Sequence, residues 1–258
     1  MQTDHVIRVL GPIDVLTPSG PVSVGGKQAR ALLGALAIGA DHAVSIDYLN
    51  HVMWGGDPPA SAYNTLQSYI SHLRHILGAD AIGHVDHSYE LSAGRDNIDA
   101  LIFERLVAEG IESRSDPERC RSVCREALTL WRGEPFGELA DDEAFRLETY
   151  RLDELRLVAM ELSLEADLAL GHHELVVAEL ESAVEEHPYR ERLWFLLIEA
   201  LGRCDRRVEA LRAGARFRSE LAQVGLEATN ELTSLERDIA AGTLAPSVPP
   251  TPARSDGV

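Results

Sequence analysis

The amino-acid sequence predicts a mainly α-helical chain with a small β part near its N-terminus. Three observations carry this expectation. Short strand-like runs broken by Gly and Pro occur only before about residue 96. Apolar residues at helical spacing dominate everything after it. Between the two regimes, residues 59–78 form an amphipathic helix whose polar face holds no carboxylate.

The first strand-like runs are Val6-Ile-Arg-Val-Leu10, Ile13-Asp-Val-Leu16 and Val22-Ser-Val24, with Gly11-Pro12 and Thr17-Pro-Ser-Gly-Pro21 as turns between them. Gly25-Gly26 leads into a helix over Lys27–Ile38, in which Leu32, Leu33, Leu36 and Ala37 keep a helical period. A shorter helix covers Asp47–Trp54, after Val44-Ser45-Ile46. The helix at 59–77 follows, opened by Pro58 and Pro59 and closed by Gly78. Ile82–Val85 and Ser88–Ser92 then read as a hairpin around Asp86-His87. Strands, three helices and a hairpin make a winged helix, in which a helical reader stands beside a β-ribbon.

Within the third helix, Leu66, Ile70, Leu73 and Leu77 recur at spacings of 4, 3 and 4, which is one buried stripe. Asn64, Ser68, Ser71 and His75 lie opposite, flanked by Gln67 and Arg74 on one side and Thr65 and His72 on the other. Ordinary surface helices carry Glu and Lys on that face. Small neutral donors and acceptors approach base edges and phosphates without repulsion, so these eight residues are the candidate DNA-reading set. A plain amphipathic core helix explains the same stripe without DNA. Lys27, Arg30, His87 and Ser88 are candidate phosphate or wing contacts.

Charge bears on that reading. The 258-residue chain carries 24 Lys and Arg against 42 Asp and Glu, a net charge of −18. Residues 1–95 hold five of those cations against eight carboxylates, a balance of −3, so most of the acidity lies further on. A DNA-binding domain usually shows a basic footprint, and this one lacks it. Hydrophobic content of 45% with 26% charged residues is that of a globular protein. No apolar run is long enough for a membrane helix, and Met1-Gln-Thr-Asp-His has no signal-peptide pattern. Three cysteines, Cys120, Cys124 and Cys204, make no disulfide framework, so a cytoplasmic chain is expected.

Seven of the ten histidines fall in residues 1–95. His72/His75 and His84/His87 are each spaced by three, but no cysteine or carboxylate cluster completes a tetrahedral metal set. The second pair would point to opposite faces of a strand. Cys120 and Cys124 share a helix face, where small buried packing outweighs redox sensing. No phosphate loop, nucleophile elbow or paired-carboxylate motif is present, so neither enzyme activity nor a cofactor is expected.

After residue 96, helices are expected over Ile98–Ile111, Pro117–Trp131, Glu143–Leu170, His172–Glu186, Arg190–Gly202, Arg206–Val224 and Asn230–Ala241. In the longest, Leu152, Leu155, Ala159, Leu162, Ala166 and Ala169 form one stripe, and Leu157, Met160, Leu164 and Leu168 another. A helix apolar on two faces packs between neighbours on both sides. Gly171 and Asp205, each just before a helix, lie 34 residues apart, the tetratricopeptide period. An array of antiparallel helix pairs follows, with a plain helical bundle as the alternative. Residues 243–258 hold four prolines and little apolar content, and are expected to be disordered.

Several of these stretches resemble one family. Gly25-Gly-Lys-Gln-Ala-Arg-Ala-Leu-Leu33, Leu49–Ala62 and Asn64-Thr-Leu-Gln-Ser-Tyr-Ile-Ser-His-Leu-Arg74 are similar to the winged-helix half of the Streptomyces antibiotic regulatory proteins. Ala127-Leu-Thr-Leu-Trp-Arg-Gly133, Leu152–Leu157 and Ala166–Gly171 resemble that family's bacterial transcriptional activation domain. The resemblance covers residues 6–241 in the family's order. It implies an OmpR-type winged-helix DNA-binding domain at 1–95 and a tetratricopeptide-like activation domain at 96–242, as in the small class of these proteins. It further implies a transcriptional activator of a secondary-metabolite gene cluster that binds direct repeats in promoter DNA, usually as a dimer, and recruits RNA polymerase. The alternative is an interaction scaffold acting through its helical array. Relatives usually read Ser-Arg-Leu-Arg-Arg where this chain has Ser71-His-Leu-Arg-His75, and Gly-Tyr where it has Ser88-Tyr89.

Overall fold

The computed structural model describes residues 5–244, so the expected tail falls outside the described residues except for Thr243 and Leu244. Among the described residues the chain is mainly helical with two small N-terminal sheets, as the sequence predicts. Strands β1 (Val6–Arg8), β2 (Asp14–Thr17) and β3 (Gly20–Val22) form an antiparallel meander. Then come α1 (Lys27–Ile38), β4 (Ala43–Ser45), α2 (Ile46–Trp54), α3 (Ala62–Leu77), β5 (Ile82–Val85) and β6 (Ser88–Leu91). The rest is helical: α4 (Asp99–Glu112), α5 (Pro117–Thr129), α6 (Glu143–Ala169), α7 (His173–Glu186), α8 (Glu191–Arg203), α9 (Arg207–Gln223) and α10 (Asn230–Ala241). Short 3-10 turns cover Arg95–Asn97 and Gly137–Leu139.

Local departures from expectation have physical causes. The third strand starts at Gly20 rather than Val22, because the Pro18-Ser19 turn is tight: Thr17 pairs with Gly20 and its hydroxyl donates to the Gly20 carbonyl at 2.9 Å. Pro21 is tolerated there because β3 is an edge strand. The recognition-type helix begins at Ala62, not Pro59. Each proline disfavours helical geometry in the residue before it, and a turn closed by Ala62 N–H donating to the Pro59 carbonyl at 2.8 Å precedes the helix. The hairpin gains a third strand, in the order β4-β6-β5. Ser45 ends β4 and caps α2, its hydroxyl accepting from Tyr48 N–H at 3.2 Å.

Packing groups the chain into two compact units, and the partition differs from a division at residue 95. One unit is Met1–Ala108 with Glu126–Leu157; the other is Glu109–Arg125 with Val158–Val258. Hydrogen bonds show why the first unit draws in later residues. The Asp99 carboxylate accepts from Val9 N–H at 2.7 Å and Leu10 N–H at 3.1 Å. Arg132 N–H donates to the Leu10 carbonyl at 2.8 Å and Phe136 N–H to Val9 at 2.7 Å. The backbone groups at and after the end of β1 therefore find partners outside the winged-helix sequence, as buried polar groups must. Phe136 holds a left-handed backbone, φ +61°, and its ring lies 5.1 Å from that of Phe145. Phe145 in turn sits on Gly34 of α1: a Cβ there would lie 2.8 Å from its ring.

In the second unit, α7, α8, α9 and α10 pack on one another in chain order around Trp194 and Phe217, whose rings stack at 5.4 Å. The 34-residue repeat is visible in backbone geometry. Gly171 and Asp205 both take positive φ, +85° and +57°. One residue later, His172 N–H donates to Asp167 and Arg206 N–H to Leu201, each at 2.9 Å. The same helix-terminating turn thus recurs at the same interval, although the side chains differ. Buried Asp167 binds Arg121, Arg125 and His172. Burial pushes its carboxyl up, but those three partners outweigh burial and hold it below the usual carboxylate range. Cys120 and Cys124 are buried, and burial pushes the Cys124 thiol up to about 12, so it stays protonated and packs as a small apolar group.

Candidate nucleic-acid interface

Helix α3 buries Ala62, Leu66, Ile70, Leu73 and Leu77 against the core of the first unit. That stripe leaves Asn64, Gln67, Ser68, Ser71, His72 and His75 exposed, while Thr65 and Arg74 are half-buried. Thr65 Oγ1 donates to the Ser61 carbonyl and Ser68 Oγ to Asn64, each at 3.0 Å. Their remaining lone pairs can accept from a base amine or a water. The face is polar, narrow and without carboxylates, which suits entry into a major groove.

Arg74 is placed differently from the sequence expectation. Its Nε and Nη2 both donate to the Ile82 carbonyl, at 2.9 and 2.6 Å. The guanidinium fastens the end of α3 to the start of the wing, and only its remaining N–H groups are left for a phosphate or base. Arg74→Ala is therefore expected to lower stability by about 1–3 kcal/mol, because the Ile82 carbonyl loses a charge-assisted double contact. Urea unfolding beside a DNA titration checks this. Unchanged stability with a salt slope lower by about one would make Arg74 a phosphate contact instead.

The wing carries Asp86 and His87 at its tip, Asp86 with φ +51°. His87 Nε2 lies 3.7 Å from Asp47 Oδ1, and Ser88 is half-buried. His84 faces Tyr89 across the strands with rings 5.0 Å apart, so it packs on the sheet instead of joining His87. Among the described residues no group of three His, Cys, Asp or Glu side chains could hold a metal ion. Tyr63 and Val85, absent from the sequence set, are 48% and 49% exposed beside it. Strand alternation could have flagged Val85, which falls on the face opposite Ile82.

Lys27 and Arg30 stand at the start of α1, and both are already paired. Lys27 Nζ lies 3.0 Å from Asp142 Oδ2, and Arg30 Nε donates to Glu138 at 3.0 Å. Arg30 also donates to the Gly25 carbonyl, and His72 Nε2 lies 3.9 Å from where a Cβ on Gly25 would sit. The start of α1 therefore adjoins the exposed face of α3.

Comparison with known proteins agrees with this architecture. Residues 98–240 match the bacterial transcriptional activator domain. The chain is 37% identical to regulatory protein AfsR of Streptomyces griseus over 90% of its own length, spanning 24% of that protein. It is 32% identical to regulatory protein DnrI of Streptomyces peucetius, covering 90% of this chain and 91% of that one. Among solved structures it resembles Mycobacterium tuberculosis EmbR in complex with a low-affinity phosphopeptide, with a TM-score of 0.88 and 29% identity over 95% of this chain and 67% of that one. The chain belongs to the Streptomyces antibiotic regulatory protein family of transcriptional regulators.

Proposed function

We propose that this chain is a sequence-specific activator of transcription that reads promoter DNA with the exposed face of α3. The carboxylate-free face formed by Asn64, Gln67, Ser68, Ser71, His72 and His75 is the observation that carries this reading. Thr65 contributes at its edge, Arg74 orients the wing, and His87 and Ser88 lie where a wing meets the flanking backbone. In this reading residues 1–95 supply DNA recognition and 96–242 the contact with RNA polymerase. Two copies bind direct repeats, and the controlled genes form a secondary-metabolite cluster, as membership of an antibiotic regulatory protein family implies. Nuclease footprinting of the full chain on DNA flanking its own gene tests this. Protection of two repeats on one face of the duplex is expected. A folded chain that protects nothing and retains no duplex would overturn it.

A further inference from the structure

We propose that Glu138 and Asp142 form an intramolecular acidic clamp that holds Lys27 and Arg30 away from DNA phosphate, so that DNA must displace these carboxylates to gain the α1 contacts. The inference rests on the DNA-binding reading and adds a competitor built into the same compact unit. Of the five Lys and Arg in residues 1–95, Arg8 pairs with Asp14 at 2.6 Å and Arg74 is bound to the Ile82 carbonyl. Arg95 is exposed after β6, whereas Arg30 adjoins the reading face through the Gly25 carbonyl beside His72, and Lys27 follows Gly25-Gly26 at the start of α1. Their partners come from a stretch more than a hundred residues later in the chain, beside the Gly137–Leu139 turn.

The geometry suits competition better than permanent structure. Lys27 and Asp142 side chains are 54% and 42% exposed, and Glu138 is 52% exposed against 26% for Arg30. Pairs this open are held weakly and are screened by salt, so a phosphate can replace the carboxylate. Gly26 offers α1 no side-chain cap, and no acidic residue lies in its first turn. The amides at that terminus therefore favour an anion as well. Displacement leaves Glu138 and Asp142 bare, and they recapture counterions from solution. Clamped cations thus add little to the net counterion release that drives binding. A first unit with this arrangement holds DNA loosely until something else engages the acidic stretch.

The test compares the full-length wild type with Glu138→Gln/Asp142→Asn and with a charge-matched control, Glu134→Gln/Asp141→Asn, on a mixed-sequence duplex across a salt series. Both control carboxylates lie in the same exposed stretch and have no ion pair shown in the structure. The clamp variant should bind about three- to tenfold more tightly at low salt and steepen the salt slope by between one and two, against little change in the control. Adding Lys27→Ala and Arg30→Ala to the clamp variant should abolish the gain. Equal behaviour of clamp variant and control would overturn the clamp while leaving DNA binding intact. Failure of the folded wild type to bind any duplex would overturn both readings.

Discussion

Asp99→Ala is expected to destabilise the first unit by about 3–5 kcal/mol, since it strips the partner from buried groups on two elements. Asp99 is 2% exposed, accepts from Val9 and Leu10, and has Arg132 Nη2 3.8 Å away. Burial pushes its carboxyl up to about 6, against the opposing pull of the two backbone donors and Arg132. The native state therefore holds the proton more tightly than the unfolded chain. Its contribution to stability is complete below about pH 4 and is lost as pH rises through about 6, a change of roughly 3 kcal/mol. Asp99→Asn should flatten unfolding free energy across that window while keeping one acceptor. Identical pH slopes for wild type and Asp99→Asn would sink the assignment. A chain ending at residue 95 lacks Asp99, Arg132, Phe136 and Phe145 together, and should show no cooperative melting transition.

The second large effect concerns His72 and His75, where the family resemblance implies arginine. His72 and His75 are exposed on the reading face, and His72 adjoins Gly25 at the start of α1. Arginine brings a permanent charge and a forked set of donors to each of these positions. Replacing both with arginine should tighten DNA binding by about tenfold at low salt and steepen the salt slope by up to two. Anisotropy titrations at several salt values check this. If arginine changes the preferred sequence more than the strength, the imidazoles contact bases and not phosphate.

Either result bears on how a chain with a net charge of −18 would hold DNA. Lys27 and Arg30 are held in ion pairs, Arg74 is bound to a backbone carbonyl, and the proposed reading face presents hydroxyl, amide and imidazole groups. Specific base contacts can then outweigh the sequence-independent phosphate attraction, which favours discrimination over raw affinity. Among the described residues no helix is long and apolar enough to cross a membrane.

Much of this was legible in the residues themselves. Apolar spacing located α1 and α10 to the residue and the buried stripe of α3 except for Ala62, because burial of one helical face imposes its period on the chain. The same spacing identified which side chains of α3 face outward. Periodicity records that a face is covered, but not by what. β4 is three residues long and pairs with β6 across more than forty positions, too short to leave a pattern of its own. Arg74 reads as a free cation in sequence and is tied to Ile82 in space. Lys27 and Arg30 meet Asp142 and Glu138 only because residues 126–157 pack with the first unit, drawn there by the backbone groups following β1 that the winged helix leaves without partners. Local preference set the elements, whereas long-range hydrogen bonding decided which charges remain available to DNA.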